Sequence, residues 1–135
     1  MIIPKKLVAI LDNNLTDAQE SVTWLEMQFD VLVVRNGEEL VRQLDSREID
    51  LLMLSSELTE NYSLAIMAEI RSKQPELPIV LMFSGAGHSS PMSEHYRKLA
   101  KATLSKPFSE QVMLDLVQSV LKNSSGSQPA HKQRL

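Results

Sequence analysis

The chain has 135 residues, 43% of them hydrophobic and 23% charged, which suits one soluble globular domain with an ordinary core and excludes the low-hydrophobicity signature of disorder. With 14 basic residues against 17 acidic ones the formal charge is -3, so no electrostatic reason exists to expect nucleic acid or an anionic membrane as partner. The lack of Cys removes disulfides, thiolate metal sites and thiol nucleophiles, and fits a reducing, cytoplasmic setting.

The opening Met1-Ile2-Ile3-Pro4-Lys5-Lys6 is too short in apolar residues before its charges to serve as a signal peptide. No run approaches the roughly 18 apolar residues of a membrane span. Leu7 to Leu11 is almost continuously apolar, the pattern of a strand buried on both faces of a parallel sheet. The pattern returns at Val31 to Val34, Leu51 to Leu54 and Ile79 to Phe83, and more weakly at Ala102-Thr103-Leu104. Between the first two runs Ala18, Val22, Leu25 and Phe29 recur at helical spacing, and Thr16 with Gln19 supplies a capping-box start.

Leu40, Val41 and Leu44 mark a short second helix after Gly37, and Leu64, Met67, Ala68 and Ile70 mark a third that stops before Pro75. Ser90 to Lys101 predicts a fourth helix, with Met92, Tyr96 and Leu99 on one side and Pro91 suited to its first turn. Ser109 is placed to cap a fifth, whose face carries Val112, Met113, Leu116, Val117, Val120 and Leu121. Residues 1–122 are therefore expected to form the domain. Asn123 to Leu135, polar and rich in linker residues, is expected to be a flexible tail or the start of a linker.

Five βα units joined by right-handed crossovers predict a flavodoxin-like, doubly wound α/β domain with a five-stranded parallel sheet. Ligands of such sheets bind beyond the carboxyl ends of the strands. That rule directs attention to Asp12-Asn13, Ser55-Ser56-Glu57, Phe83-Ser84-Gly85 and Ser105-Lys106-Pro107.

These segments carry a specific resemblance. Ile10-Leu11-Asp12-Asn13 resembles the acidic pair that ends strand 1 in the receiver domains of two-component response regulators, the CheY-like family. Asp50-Leu51-Leu52-Met53-Leu54-Ser55 resembles the run into that family's phosphoacceptor, and Leu77-Pro78-Ile79-Val80-Leu81-Met82 its strand 4. Leu104-Ser105-Lys106-Pro107-Phe108 is similar to its lysine-proline-phenylalanine signature. The likeness covers roughly residues 5 to 122. It implies phosphorelay signalling, in which an aspartate accepts a phosphoryl group from a kinase phosphohistidine, acidic residues hold Mg²⁺, a Ser or Thr contacts the phosphoryl group and the lysine neutralises it.

The chain departs from that pattern at the decisive place, because Ser55 stands where the resemblance puts the acceptor aspartate. A serine hydroxyl lacking a base or metal to activate it is a poor nucleophile and gives Mg²⁺ no anionic ligand. Asn13 likewise offers a neutral oxygen in place of a carboxylate. In strand 4, strict spacing puts Phe83 at the hydroxyl position and a shift of one residue puts Ser84 there; Ser84 is the preferred reading. The aromatic switch residue of the family aligns with Thr103, and Thr59 and Ser63 replace the proline and glycine of the loop after the acceptor. The expected site is thus a degenerate phosphoacceptor pocket of Asp12, Asn13, Ser55, Ser84 and Lys106, with no catalytic residue and no metal beyond a weak Mg²⁺ candidate at Asp12.

Plainer readings stand beside these. Lys106 reads first as a charge balancing Asp12 across an old pocket, and Pro107 mostly as a turn device. Asp12 and Glu57 also read as ordinary loop acids, and Glu57 alternatively as a substitute acceptor. His88 and His95 have no third ligand at metal spacing and read as surface residues. Gly85-Ala86-Gly87 lacks the full glycine fingerprint of a phosphate loop. The seven Met residues fit core filling, while Trp24 suits an exposed contact and partial burial equally.

Three functions follow. The leading one is a non-enzymatic pseudo-receiver that regulates through a protein partner, whether histidine kinase, output domain or other regulator, or through a homodimer formed by the fourth helix, fifth strand and fifth helix. The second is a receiver phosphorylated at Ser55 or Glu57. The third is a flavodoxin-like small-ligand binder, which the acids of Asp12-Asn13-Asn14-Leu15-Thr16-Asp17 disfavour for a phosphate-bearing ligand.

Overall fold

A computed structural model describes residues 5–55, 60–84 and 100–126, with side chains over 5–55, 65–83 and 100–123. In chain order the elements are β1 (Leu7–Leu11), α1 (Leu15–Leu25), β2 (Asp30–Val34), α2 (Gly37–Ser46), β3 (Leu51–Ser55), α3 (Glu60–Lys73), β4 (Ile79–Ser84), β5 (Ala102–Lys106) and α4 (Glu110–Gly126). The strands pair in parallel in the order β2-β1-β3-β4-β5. This is the flavodoxin-like order, and it puts the switch of winding direction between β1 and β3. The fourth predicted helix, from Ser90, falls almost wholly outside the described residues.

Alternation along the strands divides the core in two. Ala9 and Leu11, Leu52 and Leu54, and Ile79, Leu81 and Phe83 pack with Leu40 and Leu44 of α2 and Ile66, Met67 and Ile70 of α3. Val8 and Ile10, Leu51 and Met53, Val80 and Met82, and Leu104 pack with Leu25 of α1 and Met113, Val117, Val120 and Leu121 of α4. Each of these buried strand side chains therefore belongs to one helical layer or the other, as the two-residue period of a strand requires.

Several local expectations are corrected. β2 is an edge strand, so it is not buried on both faces, and Val33 is exposed. The cap of α1 is Asn14, not Thr16: the Asn14 side chain accepts from the Asp17 N–H at 3.0 Å, and Thr16 already lies within the first turn. On α3 the buried face takes Ile66 where Ala68 was expected, Ala68 being exposed. Ser63, read as a loop residue, lies in α3. Ser109 caps α4 as its sequence suggests, its hydroxyl accepting from the Val112 N–H at 3.2 Å, yet Val112 itself is exposed while Met113 is buried. The helix then runs four residues past Lys122, where the tail was expected to begin, because extending a docked helix adds one hydrogen bond per residue fixed and Asn or Ser weakens it only slightly.

Two side chains set the ends of strands. The Leu7 N–H donates to Asp50 Oδ2 at 2.7 Å and the Asp50 N–H returns to the Leu7 oxygen at 2.9 Å, which fixes the start of β1 against that of β3. Arg71 Nη1 donates to the Leu77 oxygen at 2.7 Å and the Pro75 oxygen at 3.3 Å, closing the turn from α3 into β4.

Met53→Ala, at a fully buried position of the central strand β3, is expected to destabilise the fold by about 2–5 kcal/mol. Val112→Ala should stay within about 0.5 kcal/mol. Urea unfolding of the two variants checks the contrast.

Candidate functional site

Alternation on β1 carries one step past Ile10 and Leu11, so the chain leaving the strand at Asp12 turns a carboxylate inward. That carboxylate is 1% exposed. A buried carboxylate must be paired and hydrogen-bonded to be tolerated, and both of its oxygens are. Oδ1 accepts from the Asn14 N–H at 3.0 Å, and Oδ2 accepts from Lys106 Nζ at 2.9 Å. Lys106 ends β5 and is itself 8% exposed at the side chain.

The same ammonium lies 2.9 Å from Asp17 Oδ2, in the first turn of α1. Asp17 is held in turn by its N–H, which donates to Asn14 Oδ1. Four residues thus close a ring: Asp12 to Asn14, Asn14 to Asp17, Asp17 to Lys106 and Lys106 back to Asp12. It joins the end of β1, the N-terminus of α1 and the end of β5. Two carboxylates against one ammonium leave a net negative charge there, which the positive end of the α1 dipole favours.

Ser55, the last residue of β3, is fully buried. The register places Leu54 beside Leu11, so β3 ends next to the strand that delivers Asp12. Ser84 is the backbone partner of Lys106 in the β4–β5 ladder, whereas the Phe83 side chain is buried in the layer of α2 and α3. Asn13 is exposed and touches no member of the ring by any described hydrogen bond. Thr103 is exposed on the edge strand β5. Glu57, Thr59, Gly85-Ala86-Gly87, His88 and His95 lie outside the described residues.

Beyond Lys106 a cis peptide bond leads into Pro107. Phe108 then meets Trp24 of α1 edge-on, with ring centroids 6.3 Å apart and planes at 62°. Trp24 is half-buried. Met53, Met67, Met82 and Met113 fill core positions, while Met27 is exposed. A cavity of about 440 Å³ lies at the other end of the sheet, lined among others by Lys6, Ile49, Asp50, Gln74 and Leu77.

Sequence reasoning brought Asp12 and Lys106 to one place but gave Asp17 no part. The available signal was the spacing of Asn14 and Asp17: a helix cap accepts from the N–H three residues on, which stations an acid there at the mouth of the sheet.

The sequence matches the family described as the response regulator receiver domain over residues 8–118. No curated protein matches it significantly. Among similar solved structures is a response regulator receiver domain protein (CheY-like) from Methanospirillum hungatei JF-1, with a TM-score of 0.80 and 14% identity over 91% of this chain and 98% of that one. The signal receiver domain of an HD domain-containing protein from Pseudomonas fluorescens Pf-5 gives 0.80 and 18%, over 95% of each chain. NtrX from Brucella abortus, in complex with ADP, gives 0.78 and 18% over 91% of this chain and only 27% of its own. At such identities the likeness is one of fold.

Removing one partner of the ring separates its buried and open halves. Asp12→Ala leaves the Lys106 ammonium short of its buried counter-charge and should cost about 3–5 kcal/mol. Asp17→Ala removes a carboxylate that is 34% exposed and should cost about 0–1 kcal/mol. Chemical denaturation of both variants checks the order.

Proposed function

The chain belongs to the response regulator receiver family, and from that membership we propose that it is a signalling module that does not accept a phosphoryl group at the usual place and acts by protein contact. The observation that carries this reading is the state of Lys106. Its ammonium is engaged by Asp12 and Asp17, both at 2.9 Å, while the strand end where the resemblance puts an acceptor carboxylate presents the neutral, buried Ser55. Phosphoryl transfer to a receiver depends on positioning and charge neutralisation around a nucleophilic carboxylate. Here the nucleophile is absent and the neutralising charge is committed.

Mg²⁺ does not fit this donor set. The ion takes hard oxygen ligands in near-octahedral array, yet both oxygens of Asp12 already accept hydrogen bonds, and Asn13 points no charge into the site. Ser84, the backbone partner of Lys106 in the ladder, is the residue this reading takes for the family's hydroxyl position. The partner is a protein: a histidine kinase, an output domain or another regulator. A second copy docked across β5 and α4, where Thr103 and Val112 are exposed, is the corresponding homodimer. The overall charge of -3 argues against nucleic acid as the ligand of this domain. No helix among the described residues is long and apolar enough to cross a membrane, and a cytoplasmic site of action accords with two-component signalling.

Incubation with acetyl phosphate and Mg²⁺, read by intact mass, tests the proposal. The native chain should gain no phosphoryl mass. Ser55→Asp should gain one, as its carboxylate oxygen attacks phosphorus and acetate departs. A Mg²⁺-dependent gain in the native chain would mean that Ser55 or Glu57 still accepts phosphate, and the proposed mode of action would be abandoned.

A further inference from the structure

The ring around Lys106 contains one charged member that the receiver resemblance does not account for. Asp12 stands in the family's acidic pair and Lys106 in its signature, but Asp17 is a helix residue with no assigned task. Three observations single it out. Its Oδ2 is as close to Lys106 Nζ as that of Asp12, 2.9 Å in each case. Its backbone is fixed by the Asn14 cap, so the carboxylate reaches the ammonium from a rigid first turn and not from a mobile loop. The lysine side chain it meets is 8% exposed, where an ion pair is screened less than at an open surface.

We propose that Asp17 is the positioning residue for Lys106, supplying from α1 the counter-charge that an acceptor carboxylate on β3 would otherwise provide, and so holding α1 and β5 in one phosphate-independent arrangement. The inference rests on the reading of this chain as a receiver without an acceptor, and adds to it the means by which that state is held.

The chemistry follows from counting donors. An ammonium has three N–H bonds and no acceptor. Asp12 takes one, and with Ser55 at the end of β3 no negative charge comes from that strand. Asp17 forms an ion pair with the ammonium from the helix side at 2.9 Å, so the second counter-charge comes from the helix and not from β3. The Trp24 and Phe108 rings meet on the same pair of elements, α1 and the segment after β5. The ion pair and the aromatic contact therefore brace one junction from two places. Restoring an aspartate at position 55 would place a new carboxylate in competition with Asp17 for Lys106.

The test uses Asp17→Asn and Asp17→Glu in the full chain, with and without Ser55→Asp. Acetic anhydride labelling, resolved by peptide mass, should acylate Lys106 about fivefold faster in Asp17→Asn than in the native chain, as loss of a partly exposed ion pair implies. Asp17→Glu should return it to the native rate. With acetyl phosphate, Ser55→Asp/Asp17→Asn should gain phosphoryl mass several-fold faster than Ser55→Asp alone, because Lys106 is released to the new acceptor. The assignment is overturned if Lys106 labelling in Asp17→Asn rises no more than that of Lys101 and Lys122. It is equally overturned if the double variant is phosphorylated no faster than Ser55→Asp, a slower rate pointing to Asp17 as a metal ligand. Phosphorylation of the native chain would instead sink the acceptor-free reading, leaving the labelling ratio to judge Asp17.

Discussion

Burying a carboxylate is the constraint around which the carboxyl edge of this sheet is arranged. Asp12 is almost wholly removed from solvent, and a lone charge in such a place would carry a desolvation cost of several kcal/mol. The Asn14 N–H and the Lys106 ammonium meet that demand, one from the turn that opens α1 and the other from the far end of the sheet. The loop after β1 must therefore fold tightly back on itself, and β5 must end within reach of β1 although β3 and β4 lie between them in the strand order. Parallel register across the intervening strands makes this possible, since all the strands deliver their carboxyl ends to one edge.

The layer arrangement was legible because strands buried on both faces cannot avoid continuous apolar runs. β1, β3 and β4 show this plainly. β2 carries a similar run, yet it sits at the edge, and composition alone does not distinguish an edge strand of a parallel sheet from a central one. The helices were legible in position but less so in phase: Ala68 and Val112 fit an apolar face on paper and point to solvent, because a small or β-branched residue at a boundary is decided by the neighbouring layer and not by its own hydropathy. At the site, Asp12 and Lys106 were findable from the rule that places ligands beyond strand ends. Asp17 was not, since its importance depends on a cap geometry that fixes where its side chain starts.

Receiver domains interact with kinases and output domains in two-component systems. What is particular to this chain is the chemistry at the strand ends. A neutral Ser55 at the end of β3, an exposed Asn13 and a lysine held between two acids form one consistent alteration. β3 itself ends on a neutral residue, and the ammonium meets its negative charge from the end of β1 and from the first turn of α1.

The Asp12 and Lys106 side chains are 94 residues apart in sequence, which has a consequence for how the domain comes into being. β1 pairs with β2 and β3, strands that follow it soon in sequence, whereas β5 joins the sheet only through β4. Contacts this distant along the chain stabilise nothing until a long loop has been closed and its entropy lost. Until β5 docks, Asp12 keeps its water; once it docks, the carboxylate is sealed. The charged ring is thus a mark of the completed chain, and a surface recognised through it would exist only on molecules whose folding has reached the last strand.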